Sequence, residues 1–247
     1  MQHSTAIISP KAQLGVNVRV GAFCIIHDNV VIGDNTVIES YCELGLTNHL
    51  SGGEPLVIGE NSLIRSRSTF YEGSIFGERL VTGHNVTVRE KTIAGKNLQI
   101  GTLSDIQGHC QIGDYVRFHS NVHIGQQSKI GSFVWIFPYV VLTNDPHPPS
   151  DVLKGVTVDD YVAIATMTTV LPSVCIGRGA LIGAHSLVNK NVDCDSVVAG
   201  APAKFVCLTE KIKLQDGTNR PAYPWTTHFH RGYPEDIVRQ WLEQISV

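Results

Sequence analysis

Residues 98–142, LQIGTL-SDIQGH-CQIGDY-VRFHSN-VHIGQQ-SKIGSF-VWIFPY-VVL, fall into blocks of six with one apolar residue fixed at the third place of each block. That place holds Ile100, Ile106, Ile112, Phe118, Ile124, Ile130, Ile136 and Leu142. A period of six suits neither an amphipathic helix, at 3.6, nor an alternating strand, at 2. It suits a parallel β-helix, in which each short strand turns one side chain inward and a corner follows. The same register runs back through Ala94, Val88, Thr82, Phe76, Phe70 and Ile64 to Ile58, in a stretch that opens at Leu56. Before that it occupies Ala6 to Leu44 (Ile8, Leu14, Val20, Ile26, Ile32, Ile38), and after a gap it resumes from Val158 to Cys194.

The register breaks twice. Gly45 to Pro55 (GLTNHLSGGEP) and Pro146 to Gly155 (PHPPSDVLKG) consist largely of loop formers. Counting three hexads to a coil predicts about ten coils and a prism on the order of 45 Å long. Both loops then leave from one column of corners, about five coils apart. They are expected to wall a cleft or to grip a neighbouring subunit. After Lys204 the repeat stops, so the chain divides into a β-helix over 1–204 and a tail over 205–247. The expected class is all-β, with a short α-helix in the tail. Pro234, Glu235 and Asp236 make a good helix start, and Ile237, Trp241 and Ile245 recur every fourth residue. This helix is predicted to lie back on the prism and cap its open end.

A formal net charge of -3 over 247 residues offers no basic footprint for nucleic acid. No apolar run is long enough to span a membrane, and no signal-like segment opens the chain. The six cysteines lack metal-ligand spacing, and Cys24 and Cys42 take one block position eighteen residues apart. They are expected to stack as free thiols, which suits a cytoplasmic protein.

The repeat, the loop VLTNDPHPP (residues 141–149) and the closing VVAGAPAKFV (197–206) together resemble the left-handed β-helix, hexapeptide-repeat acyltransferases. Within them the chain is most similar to nucleotide-sugar N-acetyltransferases of surface-polysaccharide pathways. The left hand is implied by this resemblance, since ordinary crossover chirality argues the other way. The resemblance further implies a homotrimer with acetyl-coenzyme A, or another acyl-coenzyme A, as co-substrate, no metal, and a nucleotide-linked amino sugar as acceptor.

Three columns of corners distribute the candidate residues. The column of Gly77, Gly95, Gly113 and Gly131 reads as plain turning backbone. A second holds His84, His119 and Asn121. His84 and His119 share one corner two coils apart, and a His placed there can transfer the proton that acyl transfer to an amine releases. The third leads through Arg89, Gln107 and Gln127 to Asn144, Asp145 and His147, a hydrogen-bonding edge suited to a nucleotide sugar. By family analogy the donor lies along the C-terminal coils. There Ala165 and Gly183 leave room for a pantetheine arm, and Lys190 and Lys204 supply cations for its phosphates.

Two other readings compete. O-acetylation of a saccharide or a small xenobiotic uses the same architecture. A γ-type carbonic anhydrase would use His84, His119 and His123 around zinc, although the four-residue spacing of His119 and His123 departs from that family.

Overall fold

In the computed structural model, residues 1–245 are described, with side chains through Glu243. The hexads form a left-handed parallel β-helix with three flat faces. Face I starts with Ile7–Ile8 and has ten strands, face II starts with Gln13–Leu14 and has nine, and face III starts with Arg19–Val20 and has eleven. Most strands are only two residues long. Each pairs in parallel with the strand one coil on, as Asp105 with His123 and Ile106 with Ile124.

The fixed apolar place of the hexad becomes the core. On face I, Ile26, Leu44, Phe70, Val88, Ile106, Ile124 and Leu142 are all buried. The preceding small residue also points inward, at the root of the corner. Ser104 Oγ donates to the His119 carbonyl and accepts from the Val122 amide, so a buried hydroxyl satisfies backbone groups that the corner leaves unpaired. Cys24 and Cys42 occupy the same place and are buried, free thiols in successive coils.

Corners also close through a left-handed residue. Asn17, Asn35, Asn61, Asn85, Asn97 and Asn121 have φ of 55–59°, the conformation that Asn tolerates best after Gly. The first corner residue is often Gly because coils approach closely. A Cβ on Gly59 would stand 2.4 Å from the Gly77 carbonyl carbon.

Both loops leave the edge where face I turns into face II, as the counting predicts. One follows the strand Glu43–Leu46 and the other follows Val141–Leu142, five strands further along the face. The C-terminal turn VVAGAPAK reverses the chain, and Lys204–Leu208 pairs antiparallel with Ser196–Ala199.

The tail departs from expectation. Its helix, Glu235–Ile245, lies along the flank where face II turns into face III rather than over the open end. The column expected to be plain turning backbone carries Tyr115, Phe133 and Tyr161 at its left-handed positions. These rings stack in sequence, with centroids 5.1 and 4.9 Å apart. Trp241 packs edge-on against Phe133 and Tyr233, and its Nε1 donates to the Tyr161 hydroxyl. Burying this aromatic ladder is what draws the helix to the flank. The side chain of Ile245 lies outside the described residues. No helix is long and apolar enough to cross a membrane among the described residues.

Candidate active site

Edge III/I, where face III turns into face I, holds His84, His119 and Asn121. His84 is exposed, and its Nδ1 stands 3.9 Å from Glu39 Oε2, too far for a hydrogen bond. That carboxylate oxygen instead accepts from the amide and hydroxyl of Ser66. His119 sits two coils away and is half-buried, stacked on Phe137 at 4.7 Å and tilted against Trp135. Burial lowers its pKa, because the apolar surroundings disfavour the imidazolium. Asn121 is the left-handed residue of the His119 corner.

A second constellation lies on face I and the adjoining edge I/II. His123 projects outward from its strand, and its Nδ1 lies 3.1 Å from Asp105 Oδ2, one coil earlier. Gln107 donates to the same oxygen. Burial pushes the Asp105 carboxyl upward, but the hydrogen bonds from His123 and Gln107, with the charges of His123 and Arg89, more than offset it and leave the pKa lowered. With Nδ1–H given to Asp105, Nε2 is the basic nitrogen, and no described residue bonds it. This is the geometry of an oriented general base.

The two loops frame this pair. Asn48 of the first loop reaches across two coils to donate to Glu90, whose buried carboxylate also holds Arg89. Asn144 opens the second loop, and its carbonyl accepts from the Lys154 amide. Asp145 organises that loop, accepting from the His147 amide and from the amide and hydroxyl of Ser150. Its carboxylate is therefore occupied by the turn, while the His147 side chain is exposed beside it. His27 and Glu43 form a similar pair, 3.0 Å apart, but on the far side of the first loop. Of these two pairs, Asp105–His123 is the one between the loops.

The structure thus spreads the expected residues over two edges. Ala165 and Gly183 continue the His84–His119 edge, and Gly183 abuts the Cβ of Ala199. Lys190 stands on the other edge, and Lys204 begins the antiparallel strand; both are exposed. Reading the corners missed Asp105 and considered His123 only as a zinc ligand, because both are strand residues. The available signal was their eighteen-residue separation at the outward place of the hexad, which stacks them in adjacent coils. Among the described residues, no three His, Cys, Asp or Glu side chains gather closely enough to share a metal ion.

Comparison with known proteins agrees with this architecture. Residues 6–45 match the family model for the bacterial transferase hexapeptide (six repeats). The acyl-[acyl-carrier-protein]–UDP-N-acetylglucosamine O-acyltransferase of Thermodesulfovibrio yellowstonii is 33% identical over 141 residues, covering 53% of this chain and 48% of that protein. The bifunctional protein GlmU of Herminiimonas arsenicoxydans is 26% identical over 208 residues, or 84% of this chain and 41% of its own length. The chain spans about half the length, or less, of these curated relatives. Among solved structures, an Arabidopsis UDP-N-acetylglucosamine acyltransferase superposes with a TM-score of 0.71 at 21% identity, over 84% of this chain and 74% of that one, a likeness of fold. In repeat, coil geometry and sequence, the chain is a left-handed β-helix protein that resembles the acyltransferases of nucleotide sugars.

Proposed function

We propose that the protein transfers an acyl group from a thioester donor to a sugar carried on a nucleotide. The observation that carries this reading is the Asp105–His123 pair, held between two loops on an edge lined by Arg89, Gln107 and Asn144. In the proposed reaction a nucleophile of the sugar attacks the thioester carbonyl while His123 Nε2 takes its proton. Collapse of the tetrahedral intermediate breaks the carbon–sulfur bond, and the proton passes to the departing sulfur. A corner N–H can stabilise the oxyanion. His119, kept neutral by burial, is the second candidate base, and His84 the third.

The oriented base favours a hydroxyl nucleophile, which must lose its proton as it attacks. The relatives named above as O-acyltransferases point the same way. Transfer to an amine is the second reading, supported by the resemblance of the chain to nucleotide-sugar N-acetyltransferases. An amine with a pKa near 8 needs the base less.

Coenzyme A is the proposed carrier, with Ala165 and Gly183 beside the pantetheine arm and Lys190 and Lys204 on the phosphates. The O-acyltransferases named above supply the rival carrier, an acyl carrier protein. We also propose a homotrimer. Edge III/I exposes Phe23, Tyr41, Leu103, Tyr139 and Met167 at left-handed positions, each about half accessible. Bulky apolar residues there are disfavoured both by conformation and by hydration, and a neighbouring prism would relieve the second cost.

The test follows free-thiol release from acetyl-coenzyme A and from acetyl-carrier protein. The acceptors are matched nucleotide-linked sugars bearing a hydroxyl or an amine at one position. Turnover that His123→Asn reduces about 10²–10⁴-fold is expected. Absence of turnover and of binding by either donor would overturn the reading.

A further inference from the structure

Glu90 holds a carboxylate with no accessible surface on edge I/II, in the corner one coil before that of Gln107. A buried charge persists only where hydrogen bonds and an opposite charge replace the water it has lost. Here three N–H donors do so. Asn48 Nδ2, from the first loop, lies 2.9 Å from Oε2. Arg89 presents Nη2 to Oε1 at 3.2 Å and Nε to Oε2 at 3.3 Å. Burial alone would raise the Glu90 carboxyl, but the Asn48 hydrogen bond, its own amide and the charge and hydrogen bonds of Arg89 leave it lowered. Glu90 is therefore an anion that grips its own neighbour in the chain.

What Arg89 would otherwise do gives that grip its purpose. Strand pairing of Phe70 with Val88, and of Val88 with Ile106, places Tyr71, Arg89 and Gln107 in one row along the edge. Gln107 already donates to Asp105. The Arg89 amide donates to the Ile106 carbonyl, so its side chain is rooted beside the strand that carries Asp105, and its charge bears on that carboxylate. Arginine is longer than glutamine and binds carboxylates as a two-pronged fork. Arg89 is thus a rival of His123 for Asp105. No hydrogen bond joins Arg89 to Asp105 among the described residues, and the guanidinium instead stands over the Tyr71 ring, 6.0 Å from its centroid. Tyr71 lies in the coil before Arg89 and Asp105 in the coil after.

We propose that Glu90 is a positioning residue: by holding Arg89 it reserves Asp105 for His123, and the first loop completes that hold through Asn48. The effect on turnover rests on the acyltransferase reading above. The effect on the His123 ring rests on the hydrogen bonds alone. Without the Glu90 charge, Arg89 swings to the nearest free anion, which is Asp105. His123 then loses the acceptor that fixes its Nδ1–H, and Nε2 is no longer kept as the basic nitrogen.

The experiment follows the His123 ring nitrogens by nitrogen-15 NMR in the full-length protein, at a pH where the imidazole is neutral. In the wild type, Nδ1 should carry the proton and Nε2 should not. Glu90→Gln keeps the shape and removes the charge, and should give a mixture of the two tautomers. Arg89→Gln/Glu90→Gln removes the rival together with its keeper, and should restore the single tautomer. In turnover, Glu90→Gln should lower kcat roughly tenfold, a part of the 10²–10⁴ that a general base supplies, and the double variant should recover it. A residue that only packs the edge predicts the reverse, a double variant no better than the single one. Circular dichroism verifies folding. Glu90→Asp keeps the charge but draws it back from the guanidinium, and should shift the tautomers in the same direction if the neutral variant does not fold. A wild-type His123 already mixed in tautomer, an unchanged tautomer in the folded single variants, or a double variant no nearer to the wild type would each overturn the proposal. Absence of thiol release, with the tautomer change present, would remove the acyltransferase reading alone.

Discussion

The three histidines nearest the proposed chemistry differ in what holds them. His123 is oriented by a carboxylate, His119 by stacking on Phe137, and His84 by neither. Removing Asp105 should therefore act through His123. Asp105→Asn is expected to lower kcat with little change in KM, and by less than His123→Asn; steady-state kinetics on both variants checks this. An Asp105→Asn enzyme with full kcat would make the pair structural. His119 makes a different prediction. Burial disfavours its charged form, so its titration midpoint should lie below the ordinary histidine value of about 6.5. Phe137→Ala opens that side to water, and should move the midpoint upward, as followed by proton NMR of the imidazole. At this scale the sequence was only half legible. Corner histidines stand out because the hexad marks every corner. A strand histidine announces itself only through a partner eighteen residues away, and Asp105–His123 is such a pair.

Among elements, the coils were legible because each hexad is a local statement: one inward residue, one small residue, one turn. Neighbouring coils then need only stack. The tightness of that stacking can be tested at one corner. Gly59→Ala would put a methyl 2.4 Å from the backbone of Gly77, so one of the coils must move. A loss of roughly 1–3 kcal/mol is expected from chemical denaturation, the cost of overpacking. The tail was legible as a helix but not in its position. Tyr115, Phe133 and Tyr161 occupy turn places, and nothing in a six-residue period reveals that three turn residues form a stacked ladder awaiting a cover. Trp241, 4% exposed, is the centre of that cover. Trp241→Ala should cost about 3–5 kcal/mol of tail docking. Because a solenoid holds itself together through adjacent coils, the loss should be local. Limited proteolysis after Leu208 should accelerate while the β-helix resists.

Over the whole molecule, the three edges carry three separate tasks. Edge II/III takes the tail, edge I/II extrudes both loops, and edge III/I exposes the apolar ladder assigned to a neighbouring copy. Replacing two rungs by charge, Tyr41→Glu with Tyr139→Glu, should shift sedimentation from trimer toward monomer without altering the circular dichroism of the coils. A wild-type protein that sediments as a monomer would remove the trimer from the proposal. The division of labour was legible for the loops, from counting alone. For the other two edges it required knowing which bulky turn residues are covered and which are not.

The reversal at VVAGAPAK has a consequence for solubility. A stack of parallel strands ends, at each extremity, in a row of unpaired amides and carbonyls that a second molecule can continue. On face III the last parallel strand, Ser196–Ala199, is instead occupied by Lys204–Leu208 running the other way. At the opposite extremity Gln2 bridges to Val20, and the amino terminus donates to the Val18 carbonyl. The face is thus occupied at both ends by the chain itself. A prism left open there would offer a growing tip, and end-to-end addition of further prisms would build a fibre. By reversing at Gly200 the polypeptide replaces the parallel edge that a second prism would extend with an antiparallel one.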